Sequence, residues 1–164
     1  MTTKLKIYSG GQLGADQAGL EAAKFCNIPT GGYAPKGYLT LVGPQVELLQ
    51  GYGLVECQVP GYKARTWENV KSSDGTVRFA YNFQSPGEKC TLNAISYYHK
   101  PYLDIDYPFL THKYEDRIEQ FIRQRLALGH AIINIAGNRP GKGVLRMFHY
   151  DVRDMLVNVF RRFI

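Results

Sequence analysis

The stretch His130-Ala131-Ile132-Ile133-Asn134-Ile135-Ala136 narrows the choice of fold more than any other part of this sequence. A strand with one wet face alternates apolar and polar residues. A nearly continuous apolar run of this length marks a central parallel strand covered on both faces. Parallel strands cannot be joined by tight turns and need long crossovers, usually helices. The rest of the chain supplies that alternation. Lys4 to Tyr8 reads as a strand, and the Ala-rich stretch from Asp16 to Cys26 reads as a helix. Thr66 to Lys71 is a helical turn, Thr76 to Ala80 a strand, Lys89 to His99 a helix and Tyr102 to Asp106 a strand. Ile118, Phe121, Ile122 and Leu126 lie at helical spacing in a segment that stops near Gly129. A last helix carries Leu145, Phe148, Val152, Met155, Leu156, Val159 and Phe163 on one stripe. The expected fold is a three-layer α/β domain of Rossmann-like type, with helices packed on a mostly parallel central sheet. Ligands are expected at the carboxyl ends of its strands.

The 164 residues suffice for one domain spanning 1–164 with a core of its own. Apolar residues make up 45% and charged residues 21%, and no segment is biased enough to be read as disordered. The chain has no apolar run of roughly 18 residues, and Met1-Thr2-Thr3-Lys4 leads straight into the first strand instead of a cleavable leader. A cytoplasmic protein without a membrane segment is expected. Cys26, Cys57 and Cys90 are odd in number and widely spaced, which favours free thiols over disulfides or a zinc site. The net charge of +6 is spread: Arg117, Arg123, Arg125, Arg146, Arg153, Arg161 and Arg162 fall within helical segments and form no polybasic tract. Nucleic acid is therefore set aside in favour of a basic surface that attracts smaller anions.

Residues 27–60 are broken by Gly31, Gly32, Pro35, Gly37, Gly43, Pro44, Gly51 and Gly53, and read as an excursion over the sheet edge or the ligand mouth. Between the first strand and first helix lies Ser9-Gly10-Gly11-Gln12-Leu13-Gly14. Adjacent glycines there can present consecutive backbone N–H groups to a phosphate or carboxylate at a helix N-terminus. The spacing matches neither the dinucleotide fingerprint nor a Walker loop. Asp16 either caps the helix or meets a ligand hydroxyl, a protonated ring nitrogen or a metal. An acid so close to an anion site needs a compensating cation. Lys36, between Pro35 and Gly37, and Arg65, ahead of a segment carrying Thr66, Glu68 and Asn69, are the candidates. Trp67 is read as a packing residue.

Taken together, Ser9-Gly10-Gly11-Gln12-x-Gly14-x-Asp16, Ile28-Pro29-Thr30-Gly31-Gly32 with Pro35-Lys36-Gly37, Arg65-Thr66-x-x-Asn69-Val70, Asp74-Gly75-Thr76 and Lys100-Pro101 through Ile135-Ala136-Gly137-x-Arg139 resemble the molybdenum cofactor carrier protein family. That family is similar to a wider group of Rossmann-like domains that includes the cytokinin-activating phosphoribohydrolases and DNA-processing protein A. The resemblance implies an oligomer of such subunits, each with a pocket for a molybdenum-pterin cofactor or a nucleotide-like ligand. It assigns the first loop to Ser9, Gly10, Gly11, Gln12 and Gly14, the acid to Asp16, a loop lysine to Lys36 and the central motif to Arg65 and Asn69. Two departures matter. Leu13 stands where the family carries a small hydroxyl residue, and the second loop reads Pro86-Gly87-Glu88 before Lys89, Cys90 and Thr91. Only Gly87 and Thr91 keep phosphate-facing chemistry there, and Glu88 brings a negative charge.

The expected role is binding or carriage of a phosphorylated small molecule without turnover. The alternatives are a hydrolase for a nucleotide N-glycosidic bond and a sensor or sequestering protein for an ADP-ribose-like signal. The hydrolase reading wants a well-placed acid, which the spacing leaves between Asp16 and Glu88. His99, His112, His130 and His149 are scattered and complete no nucleophile motif, while Cys90 could fall in the first turn of a helix. The 12 tyrosines and 8 phenylalanines, with Phe160 and Phe163 near the C-terminus, read as more rings than one core requires and support a homo-oligomer.

Overall fold

A computed structural model describes residues 4–164. Residues 1–3, on which the reading of a leaderless N-terminus partly rested, lie outside the described residues. The chain runs β1 (Leu5–Tyr8), α1 (Ala15–Phe25), β2 (Thr30–Ala34), β3 (Leu39–Thr40), β4 (Gly43–Pro44), α2 (Val46–Gly51), β5 (Leu54–Glu56) and α3 (Lys63–Ser72). It continues with β6 (Gly75–Ala80), α4 (Pro86–Tyr98), β7 (Tyr102–Asp106), α5 (Lys113–Leu126), β8 (Ala131–Gly137) and α6 (Phe148–Phe160). Six strands form the main sheet in the order β5-β2-β1-β8-β6-β7, all parallel. A small antiparallel pair, β3 and β4, stands apart from it. The three-layer Rossmann-like architecture is the one the apolar run at 130–136 implied.

Side chains alternate across this sheet, so its two faces differ in chemistry. Leu5, Ile7, Val77, Phe79, Ile133 and Ile135 pack with α1, α5 and α6 in the main core. Phe148, Val152, Leu156, Val159 and Phe160 on α6 are all wholly buried there. The opposite face, under α3 and α4, carries buried Thr76, Arg78 and Asn134 instead, and Asn134 donates to the Thr76 hydroxyl at 3.3 Å. The ring-rich composition is largely absorbed within the domain itself. Phe160 belongs to the core, and Tyr81, Tyr107, Phe109 and Phe148 meet edge to face at 5.1–5.2 Å.

Residues 27–60 differ from the sequence expectation. They are an excursion only in part: β2 and β5 extend the main sheet beyond β1, with α2 between them, and only the β3–β4 segment stands off it. Two glycines within five residues disguise β2 as a turn. Gly31 lies against the Tyr8 ring, and at Gly32 (φ +128°) a methyl group would land on the Ser9 carbonyl. Close approach of neighbouring backbone selects the glycines here. The C-terminal helix is also shorter than its apolar stripe, because a 3-10 turn at Gly143–Met147 precedes α6 and another follows it.

Candidate functional site

Strand order sets the place of the site. From β1 the chain builds outward through β2 and β5, then crosses to β6 and β7 on the other side. β8 enters last, between β1 and β6. The connections leaving β1 and β8, to α1 and α6 on one face, and that leaving β6, to α4 on the other, therefore part at their carboxyl ends, which is where open α/β sheets hold ligands. A cleft of about 500 Å³ opens there. Gln12, Leu13 and Asp16 form one wall, Tyr62, Lys63, Arg65 and Thr66 from the start of α3 another, and Gly87, Glu88 and Cys90 from α4 a third. Gly137, Asn138 and Arg139 close it from β8.

The glycine loop is heavily hydrogen-bonded within itself. Gly11 donates its N–H to the buried Ser9 hydroxyl at 3.2 Å and turns (φ +75°) against Leu49 and Leu54, where a Cβ would collide with both. Gln12 donates its N–H to Asp16 Oδ2 at 3.2 Å, the Gly10 N–H lies near enough to favour the charged Asp16 carboxylate, and the Gln12 side-chain amide reaches the Leu39 carbonyl. Gly14 donates to His149 Nδ1 at 3.2 Å, and Ala15 to the Asn138 carbonyl at 3.0 Å. His149 Nε2 stands 3.0 Å from Glu21, so the neutral ring keeps its proton on Nε2 and its lone pair toward Gly14. Asp16 is thus not the N-cap, a position taken by Gly14. Its carboxylate bends back and closes the loop. Burial pushes the Asp16 pKa up, opposed by the Arg65 guanidinium and the two loop N–H groups.

Arg65 lies across Gly10, where a Cβ would meet its Cδ and Nη1 at 2.7 Å, and its Nη1 stands 3.7 Å from Asp16 Oδ2. Its Nε is buried without a hydrogen-bond partner. Across the cleft, Glu88 is 3% exposed, and its Oε1 likewise has no hydrogen-bond partner. Asn138 donates to Glu88 Oε2 at 3.4 Å, and Arg78 Nη1 stands 3.8 Å from Oε1. Arg78 is buried in β6 and committed elsewhere. It grips Asp104 with two bonds of 2.8 and 2.7 Å and the Glu88 carbonyl with one of 3.0 Å. Burial raises the Glu88 pKa from 4.5 to about 7, only partly offset by Arg78.

A carboxyl whose pKa is higher folded than unfolded binds its proton more tightly in the native state. Its contribution to stability is complete below the unfolded value and is lost as pH rises through the folded one. Between about pH 4 and 8 the stability of Glu88→Gln is therefore expected to gain about 3 kcal/mol on the parent. Urea unfolding of both proteins across that range measures it. A constant difference would place the Glu88 carboxylate in water.

The other expected site residues are placed as follows. Gln12, Asp16, Arg65 and Gly87 line the cleft together, with Gly10 beneath Arg65. Lys36 is exposed in the turn after β2 and does not line it. Thr91 is buried and returns its hydroxyl to the Gly87 carbonyl at 3.1 Å. Asn69 is buried and pairs with both backbone groups of Tyr33, at 2.9 and 3.0 Å. β1 pairs with β2 only as far as Gly31, so the Asn69 amide takes over where the neighbouring strand ends. Asn69→Ala would leave that N–H and C=O unpaired and is expected to cost about 2 kcal/mol in thermal or urea unfolding. Trp67 packs on Tyr97 and Tyr98, and Cys90 lies in the second turn of α4 at the cleft wall.

Sequence reasoning passed over Asn138, Arg139, Tyr81 and Ser85 as site residues. Asn138 accepts the N–H groups of Tyr81 and Asn82, both at 2.9 Å, and so ties the β6 and β8 turns together. Ser85 was legible: Ser85-Pro86-x-Glu88 is an N-cap, first-position proline and third-position acid, and the Ser85 hydroxyl accepts the Glu88 N–H. Nothing local marked Asn138, because its partners lie 56 and 57 positions away.

The open sheet, the switch-point cleft and the charged groups converging in it define a ligand-binding Rossmann-like domain. Residues 7–159 match the model of the circularly permuted YpsA SLOG family, and the chain belongs to that family. The topology agrees with the permutation: joined end to end and opened before β8, the chain would read β8–α6–β1, a crossover between adjacent parallel strands, with α6 packed on α1. The chain is also similar to a crystal structure described as a putative molybdenum carrier protein from Syntrophus aciditrophicus SB. It is 35% identical to that protein, covers 94% of this chain and 93% of that one, and superposes with a TM-score of 0.78. No curated protein matches the chain. Among the described residues, no helix is long and apolar enough to cross a membrane.

Proposed function

We propose that this protein binds or carries a phosphorylated small molecule, a molybdenum-pterin cofactor or a nucleotide-like ligand, in the cleft between Arg65 and Glu88. One observation carries the reading: a guanidinium nitrogen and a carboxyl oxygen, both buried and both without hydrogen-bond partners, belong to side chains that line the same cleft. Natural proteins rarely leave such groups unpaired, and exceptions cluster where something else completes them. The similarity to a protein described as a molybdenum carrier supports the pterin form of the ligand, and the Rossmann-like cleft supports the nucleotide form. Native mass spectrometry of protein purified without added ligand, followed by calorimetry with phosphorylated pterins, nucleoside monophosphates and ADP-ribose, tests it. Folded protein that retains nothing and binds no member of the panel would remove the reading.

The Glu88 pKa favours a second reading. A carboxyl that is still half protonated near pH 7 suits a general acid, and Asp16 lies close enough to push the Glu88 pKa further up. In a hydrolase for an N-glycosidic bond, Glu88 would protonate the departing base while water, losing a proton to Asp16, adds to the sugar carbon. Release of free base from nucleoside monophosphates, abolished in Asp16→Asn or Glu88→Gln, would establish this activity over binding alone.

A further inference from the structure

We infer that the cleft takes its ligand with a hydrogen-bond-donating end against Glu88 and its phosphate outward, on the cations Lys63 and Arg139, and not over the glycine loop. The inference rests on the reading of the cleft as a ligand site and specifies which end of the ligand lies where.

The loop already holds an anion of its own. The Asp16 carboxylate accepts the Gln12 N–H and is further stabilised by the nearby Gly10 N–H, while the N–H groups of Gly11, Gly14 and Ala15 go to Ser9, His149 and Asn138. A phosphate placed there would have to displace Asp16 or lie beside it, and like charges in a buried site are costly. The inner part of the cleft therefore carries two buried carboxyl groups, Asp16 and Glu88, and Arg65 stands nearest Asp16, at 3.7 Å, with only a lesser effect on Glu88, whose burial outweighs the cations around it. Such a surface calls for hydroxyl or N–H donors, and the unpartnered Glu88 Oε1 belongs to a side chain only 4% exposed.

The outer part has the opposite charge. Lys63, at the head of α3, and Arg139, just after β8, both line the cleft, both are exposed, and neither forms an ion pair among the described residues. Lys63 opens α3, whose N-terminus has no side-chain cap, so its backbone N–H groups add positive potential at the same rim. An elongated ligand with donors at one end and phosphate at the other matches this layout. A ribose diol provides such donors, and so does the amino-amide edge that guanine shares with a pterin.

Calorimetry with AMP, adenosine, 2′,3′-dideoxy-AMP, GMP and IMP separates the two ends. In the wild type, AMP is expected to bind about tenfold or more tighter than adenosine, as a charge-assisted contact provides. In Lys63→Ala/Arg139→Ala that preference should shrink to about twofold and, in the wild type, should fall steeply with salt. Preference for AMP over its dideoxy analogue identifies the diol as the inner group, and preference for GMP over IMP identifies the amino-amide edge. Either preference should vanish in Glu88→Gln, which keeps the size of the side chain. Binding should also release protons near pH 7 in the wild type and not in Glu88→Gln, read from the dependence of the binding heat on buffer. Survival of the phosphate preference in the rim variant, or of the donor preference in Glu88→Gln, would overturn the orientation. So would failure of all five nucleosides and nucleotides to bind while a phosphorylated pterin or ADP-ribose binds unaffected by these substitutions. In each case the broader binding reading is left intact.

Discussion

Arg65→Ala is expected to weaken binding of the cleft's ligand by about 2–5 kcal/mol, the scale seen when one member of a desolvated charge pair is removed. That corresponds to a loss of about 30-fold to several thousandfold in affinity. The effect is large because the guanidinium has two duties. It is the cation nearest the buried Asp16 carboxylate, at 3.7 Å, and its own Nε has no protein partner to lose. Arg65→Lys keeps the charge and loses the planar fork, so it should recover part of the affinity and no more. Titration calorimetry on the ligand that the protein retains measures all three. Equal affinity in the wild type and Arg65→Ala would remove Arg65 from the site. Unfolding of Arg65→Ala, with rescue by Asp16→Asn, would assign its contribution to pairing with Asp16.

The largest stability effect is expected at Arg78. Arg78→Met should cost about 3–5 kcal/mol, because breaking a buried pair leaves the remaining charges uncompensated. Three acceptors lose their donor at once: both carboxylate oxygens of Asp104 and the Glu88 carbonyl. Asp104 is a third exposed and can turn to water, whereas the Glu88 carboxyl cannot and would be driven further toward its neutral form. Combining Arg78→Met with Asp104→Leu should recover most of the loss, since an apolar pair of similar volume has no desolvation penalty to offset. Guanidinium unfolding of the two variants measures this. A loss below about 1 kcal/mol in Arg78→Met would mean that water reaches the pair as it reaches a surface bridge.

Arg78 also shows where local reading stops. In the sequence it is one polar residue in Thr76-Val77-Arg78-Phe79-Ala80, which reads correctly as a strand. Its importance comes from Asp104, 26 positions on, and from Glu88 at the head of a different helix. β2 shows the converse. Its glycines look like turn formers, and only the packing of Tyr8 and the Ser9 carbonyl against them explains glycine within a strand.

The sequence by itself determined the class of fold, the strand–loop–helix opening and most of the helices, because these depend on periodicity and on turn residues within a few positions of one another. It also showed that Asp16, an acid beside a glycine loop, requires a cation and narrowed the candidates to Lys36 and Arg65, between which the structure chose Arg65. Only the tertiary structure decided how the loop's N–H groups are spent. The acceptors that take them include Asn138 and His149, which are distant in sequence and reach the loop only because β8 enters the sheet between β1 and β6. The packing of α4 against the sheet likewise sets Glu88 in the cleft with Asp16 and buries it, and burial is what gives a glutamate a pKa of about 7. Desolvation depends on everything packed around a group, and no spacing along the chain encodes it.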